Sequence, residues 1–250
     1  MTPASSLAPP ITGFPPAPLF SVASLFVQYK RPFHLETQSS ADGVARASAF
    51  GTAAAPFFRV KLSNEQHGTL SHWEASVGRL GGIVRYAAPR FWRWSAMAQH
   101  QVQGNVHVNS AWLSPKALGA SLIWTYDDPA GLHHMRHSHP EAVEGEGLGD
   151  VANRLQRVAR EGGVDVIREH LGGLADVARK LIKMPDQLLA LDVGFRTTDD
   201  DALAVVADVA TVRYAAASQG ISWALLVRLR GTTTPSLREA LARVRGIARP

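Results

Sequence analysis

The chain has 250 residues, 46% hydrophobic and 19% charged, a globular balance that can bury a sizeable core in one large or two small domains. Its formal net charge of +5 favours an acidic partner such as nucleic acid or an anionic surface, although no run of lysine or arginine concentrates the excess. The absence of cysteine excludes disulfides, thiol catalysis and cysteine-ligated zinc, and no apolar run reaches the roughly 18 residues that span a bilayer.

Residues 1–18 read as an extended, proline-rich apolar arm. Seven of the 15 prolines fall at positions 3, 9, 10, 15, 16, 18 and 32, and no charged side chain precedes Lys30. Proline fixes φ and favours polyproline conformation, so the segment resists both helix and sheet. A disordered tail is normally polar and charged. This one is apolar, so Leu7, Ile11, Phe14 and Phe20 are expected to lie in a groove on the body or against another copy of the chain. The apolar run Leu19 to Val27 is too short and lacks the positive flank of a secretion signal.

Residues 19–128 form a strand-rich half with one helix. Leu19 to Leu35 reads as one strand, with Pro32 marking its end or an edge position. Gln38 to Ala55 is small, polar and loop-like. Phe58, Val60 and Leu62 then alternate with Arg59 and Lys61, the period of a strand with one buried face. Ser63 with Gln66 three residues on fits a capping box. Leu70, Trp73, Val77 and Leu80 follow at helical spacing, and Gly81-Gly82 ends that helix. Ile83, Val84 and Tyr86 restart an extended run, which Pro89 interrupts. Gln101 to Leu113 alternates again, with Val102, Val106 and Val108 on one parity, and Leu118 to Tyr126 reads as a further strand.

Between these runs stands Arg90-Phe91-Trp92-Arg93-Trp94. Three aromatics and two arginines in five residues suit stacking on bases or contact with an acidic partner, which makes Arg90, Trp92, Arg93 and Trp94 candidate contact residues. The commoner fate of such a cluster is a core corner, with rings buried and arginine stems snorkelling to water.

Residues 129–148 are a histidine-rich, acidic loop. His133, His134, His137 and His139 lie within seven residues, and imidazole is a frequent ligand of zinc or nickel. The spacing matches no H-E-x-x-H arrangement, and Pro129, Gly131 and Pro140 argue against a rigid scaffold. The expectation is therefore a solvated or interface loop without a metal, and no cofactor elsewhere.

Residues 149–250 turn helical. Val151, Leu155 and Val158 share one helix face. Val166 to Leu181 continue in a second helix, where Gly172-Gly173 signals a close contact or a break. Leu188 to Phe195 reads as a buried strand. Asp199-Asp200-Asp201 opens a helix through Ser218, with acids where the helix dipole favours them. Ile221 to Leu229 is another strand, and a terminal helix starts at Pro235. The order gives a β-α-β-α unit whose two strands pair in parallel through a right-handed crossover.

The fold class expected is α/β, with α+β as the alternative: a strand-rich N-terminal half, a helix-rich C-terminal half and an arm. The function expected is that of a structural, self-assembling subunit of a virus or phage particle. Its partners would be copies of itself through the arm, together with nucleic acid, and its place the virion or host cytoplasm. The runners-up are an enzyme acting on a phosphate-bearing substrate at loops 196–201 and 230–236, and a non-catalytic subunit of a cellular complex. The chain has no P-loop, no G-x-G-x-x-G and no G-x-S-x-G, which weighs against catalysis.

Overall fold

A computed structural model describes residues 19–36, 44, 56–126, 133–136, 142–181 and 200–230. These residues hold six α-helices and two five-stranded sheets, so helices and strands are mixed as the sequence implies. The arm, the run Leu188 to Phe195 and the terminal helix all fall outside the described residues.

The central strand is β1 (Leu19–Tyr29). It pairs in parallel with β4 (Gly82–Pro89) from Ser24 with Gly82 to Tyr29 with Ala87. It pairs antiparallel with β10 (Ser222–Arg230) over nine residues, from Leu19 with Arg230 to Val27 with Ser222. β4 in turn takes β5 (Ser110–Leu113) antiparallel, and the short β9 (Arg160–Gly162) adds to the start of β1. Strands from the two ends of the sequence thus share one sheet.

Both faces of this sheet are covered, which is why its middle strands read as apolar runs. Ala23, Val27, Ile83 and Ala87 pack with Trp112 on Val151 and Leu155 of α4 (Leu148–Val158). On the opposite face Phe26, Val84, Tyr86 and Ala88 meet Leu70, Trp73 and Val77 of α1 (Asn64–Val77), and Leu174, Ala175 and Ala178 of α5 (Val164–Leu181). α6 (Asp200–Ser218) completes that layer through Val212, Ala215 and Ala216. The second sheet runs β2-β3-β6-β7-β8, from β2 (Phe33–Leu35) and β3 (Phe57–Lys61) through β6 (Ile123–Tyr126) and β7 (His133–Arg136) to β8 (Ala142–Glu144). Phe58, Val60, Trp124 and Tyr126 bring it into the same core.

The helix expected after Ser63 is present. The Ser63 hydroxyl accepts from the Gln66 N–H at 3.2 Å, while the Gln66 side chain, instead of closing a capping box, accepts from Lys30. The helix ends through a 3₁₀ turn, Gly78–Leu80, and Gly81 at φ 80° turns the chain into β4. A Cβ at Gly81 would lie 2.8 Å from the Val158 carbonyl oxygen, so this turn needs glycine on both counts.

Four expected elements differ. Leu19 to Leu35 is two strands, because Pro32 takes the chain out of β1 before it enters the second sheet. Gln101 to Leu113 is mostly not a strand: α2 (Trp94–Val102) and turns through Asn109 precede the four-residue β5. Leu118 to Tyr126 begins with the helical turn α3 (Pro115–Leu118), leaving only β6 extended. The histidine-rich segment contributes two short strands, β7 and β8, paired at His133 with Glu144.

Gly172-Gly173 does not break α5. It marks close contact: a Cβ at Gly173 would meet Leu80 Cδ2 at 3.0 Å, whereas one at Gly172 would meet only an Asp208 carboxylate oxygen at an ordinary 3.5 Å. Gly172→Ala is expected to stabilise the fold by about 0.5–1 kcal/mol through helix propensity. Gly173→Ala should gain less, or lose, because Leu80 must shift. Paired chemical denaturations measure the difference.

Candidate functional site at the carboxyl ends of β1 and β4

In open α/β sheets ligands settle outside the carboxyl ends of parallel strands. Here the two parallel strands are β1 and β4, and the segments that leave them meet. Arg31, Pro32, Phe33 and His34 follow β1, Trp92 follows β4, and together they line an open hollow of about 360 Å³. Pairing of β2 with β3, Phe33 opposite Arg59 and His34 opposite Phe58, fixes the first segment.

The second segment belongs to an excursion, residues 90–109, which leaves β4 and returns in β5. Its base is closed by the Arg90 N–H to the Asn109 carbonyl at 2.8 Å. Inside it, Phe91 stacks on His100 with centroids 4.7 Å apart, and His100 Nδ1 lies 2.7 Å from Asn105 Oδ1. Its return limb is tied to the body where Trp112 Nε1 donates to the His107 carbonyl at 3.0 Å and Tyr29 Oη lies 3.1 Å from His107 Nδ1. The helix it carries, α2, has no buried residue.

This scaffold holds its aromatic side chains in water. Trp94 is 74% exposed, Phe33 55% and Trp92 47%. The core-corner reading of the Arg90–Trp94 cluster therefore fails: apart from half-buried Phe91, its rings are displayed. Trp92 stacks on His34 with centroids 5.0 Å apart and planes 10° from parallel, and the Arg93 guanidinium lies over the same indole at 4.8 Å. The Arg59 guanidinium is 5.9 Å from the Phe33 ring. Arg31 and Arg93 are exposed, while Arg90 is half-buried at the base of the excursion. Of the four cluster candidates, Trp92, Arg93 and Trp94 face solvent.

The electrostatics are one-sided. No aspartate or glutamate occurs between Glu74 and Asp127, a stretch that includes the whole excursion. That acid-free span was a signal available in the sequence that composition alone conceals. Arg31, Phe33 and His34 were not among the residues singled out there, because what joins them to Trp92 is the parallel pairing of β1 with β4. Glu36, 3.3 Å from His34 Nδ1, is the nearby acid.

Below the hollow, on the α1 side of the sheet, lies a second polar group. Lys30 Nζ donates to Gln66 Oε1 at 2.8 Å and sits 5.6 Å from the Tyr86 ring centroid. Burial lowers the Lys30 pKa. The Tyr86 pKa is raised, first by burial and then by the Glu74 charge, so its hydroxyl stays protonated and donates to His67 Nδ1 at 3.1 Å. His67 Nε2–H donates in turn to the Gly119 carbonyl at 2.6 Å, which sets the tautomer. Gln28, 3% exposed, donates to the Gln219 carbonyl at 2.9 Å and leaves its Oε1 without a partner.

One buried serine–histidine pair has the contacts of a nucleophile and base but not the access. His170 Nδ1–H donates to the Leu80 carbonyl at 2.6 Å, which makes Nε2 the acceptor for the Ser24 hydroxyl at 2.8 Å. Both residues are fully buried, so the pair is structural. Burial lowers the His170 pKa, and Arg160 lowers it further against the raising effect of the Leu80 carbonyl. Below about pH 6.5 the unfolded chain therefore binds a proton that the fold excludes, and stability falls as pH drops from there towards the folded pKa. Thermal melts from pH 8 to 5 should show this loss, and His170→Gln should make it shallower.

The remaining candidates are placed as follows. Phe20 is half-buried within β1, opposite Leu229 and Gly162, and so belongs to the body; Leu7, Ile11 and Phe14 lie outside the described residues. His133 and His134 are on β7, while His137 and His139 are outside the described residues. Among the described residues no group of three or more histidines or acids could hold a metal ion, and no helix is long and apolar enough to cross a membrane. Loops 196–201 and 230–236 lie almost wholly outside. No family model, curated protein or solved structure matches the chain.

Proposed function

We propose that the protein binds nucleic acid through the carboxyl-end surface, stacking unpaired bases on Phe33, Trp92 and Trp94 and taking phosphates on Arg31 and Arg93. The observation that carries this reading is the display of three large aromatic rings among arginines, in a region without acids, by an excursion that buries none of its helix. Exposed rings of this size are retained against their hydration cost where they contact a partner. Rings alternating with guanidinium groups match single strands, whose bases offer π-faces and whose backbone offers phosphates. Duplex fits less well, since its bases are already stacked.

Fluorescence anisotropy of labelled oligonucleotides tests the proposal. A short oligothymidylate should bind more tightly than a duplex of the same length, with affinity falling linearly in log salt. Absence of binding to either at low salt would sink it. The broader proposal of a coat- or nucleocapsid-like subunit rests on the apolar composition of residues 1–18 and is compatible with a genome-contacting face. Its check is light scattering: deletion of Met1 to Pro18 should dissociate an oligomer while leaving a folded body.

A further inference from the structure

We infer that Lys30 forms a phosphate-binding subsite next to the aromatic hollow, at the first turn of α1, holding a backbone phosphate of the strand whose bases stack on the hollow's rings. The inference rests on the nucleic-acid reading and deepens it by assigning a second, more buried contact to the same ligand.

Three features of the geometry carry it. Lys30 is the last residue of the β1 register before the hollow begins: its N–H donates to the Ala87 carbonyl of β4 at 2.9 Å, and the next residue, Arg31, lines the hollow. Its side chain leaves on the α1 face, where its two neighbours are uncharged, the Gln66 amide oxygen and the Tyr86 ring. Among the described residues no carboxylate pairs with it. An ammonium group has three donors, and Gln66 takes one.

Gln66 is the third residue of α1, so the ammonium stands at the positive end of a fourteen-residue helix. A half-buried cation placed there gains from an incoming anion what it lacks in the free protein. Burial without a counter-charge also accounts for its lowered pKa. The acid in this turn is Glu65, which is exposed. Arg31 and Lys30, adjacent in sequence, would then take phosphates on either side of the strand end.

The test uses full-length protein and a short oligothymidylate. Lys30→Gln should reduce the slope of log affinity against log salt by about 0.7, the share of one phosphate on a single strand, and Lys30→Arg should restore it. In the wild-type protein the oligonucleotide should protect Lys30 from amine acylation, read by mass spectrometry, which covers the case of a variant that fails to fold. An unchanged slope with unprotected Lys30, while Trp92→Ala still weakens binding, would overturn the subsite and leave the stacking surface standing. If no oligonucleotide binds at all, the nucleic-acid reading fails. Inorganic phosphate alone then decides the subsite: a melting temperature raised in wild type but not in Lys30→Gln keeps an anion site, and no shift removes it.

Discussion

Replacing Arg85 with alanine is expected to cost about 3–5 kcal/mol, the largest single effect outside the hydrophobic core. Arg85 is 2% exposed and is compensated on every side. Its Nη1 donates to Glu74 at 2.9 Å and to the Val84 carbonyl at 2.6 Å, and its Nε and Nη2 form a fork on Glu146. Glu74 also accepts from the Ser114 hydroxyl at 2.7 Å and the Lys116 N–H at 2.9 Å, and Arg154 pairs with Glu146 at 2.6 Å. The guanidinium thus joins α1, β4, the start of α3 and the segment that enters α4.

Truncation would leave two largely buried carboxylates facing each other without the cation between them. Arg85→Lys keeps the charge but cannot form the fork, so an intermediate loss is expected. Urea denaturation of the three proteins measures this series. A loss below about 1 kcal/mol for alanine would mean that the network does not form as described.

The second large effect is functional. Trp92→Ala should weaken single-strand binding by about 1–3 kcal/mol, between several-fold and somewhat over a hundredfold, with Trp94→Ala in the same range. The melting temperature should hold nearly constant, because both rings are substantially exposed and only the Trp92 stack on His34 is lost. Arg93→Ala should instead flatten the salt dependence. Anisotropy titrations at several salt concentrations, beside thermal melts, separate these outcomes. A fall in stability without a change in affinity would assign the rings to the fold.

How far the fold was legible depended on where the stabilising contacts lie along the chain. From Phe57 to Gly82 they are local. Period-2 burial, the Ser63 cap and the spacing Leu70, Trp73, Val77 together specified β3, α1 and the turn at Gly81. Val102, Val106 and Val108 alternate just as well, yet Val102 is 90% and Val108 62% exposed. There, turn chemistry decided the structure: Gly104 at φ 66°, and Asn109 donating to the Asn105 carbonyl at 3.0 Å.

Arg85 was passed over inside an extended run because its partners stand 11 and 61 positions away, and no local pattern announces them. The site was half legible. Trp92, Arg93 and Trp94 stood out by composition, but only the pairing of β1 with β4 places Arg31, Phe33 and His34 against them. Sequence periodicity also could not tell a displayed cluster from a buried one, since rings and arginines suit both.

The most direct measurement of the central claim is ultraviolet crosslinking of wild-type protein to a short single-stranded oligonucleotide, with the modified peptides mapped by mass spectrometry. Adducts on residues 31–34 and 91–94, suppressed by high salt, are the predicted result. A crosslinked protein whose adducts all lie elsewhere, with both of these segments unmodified, would contradict it.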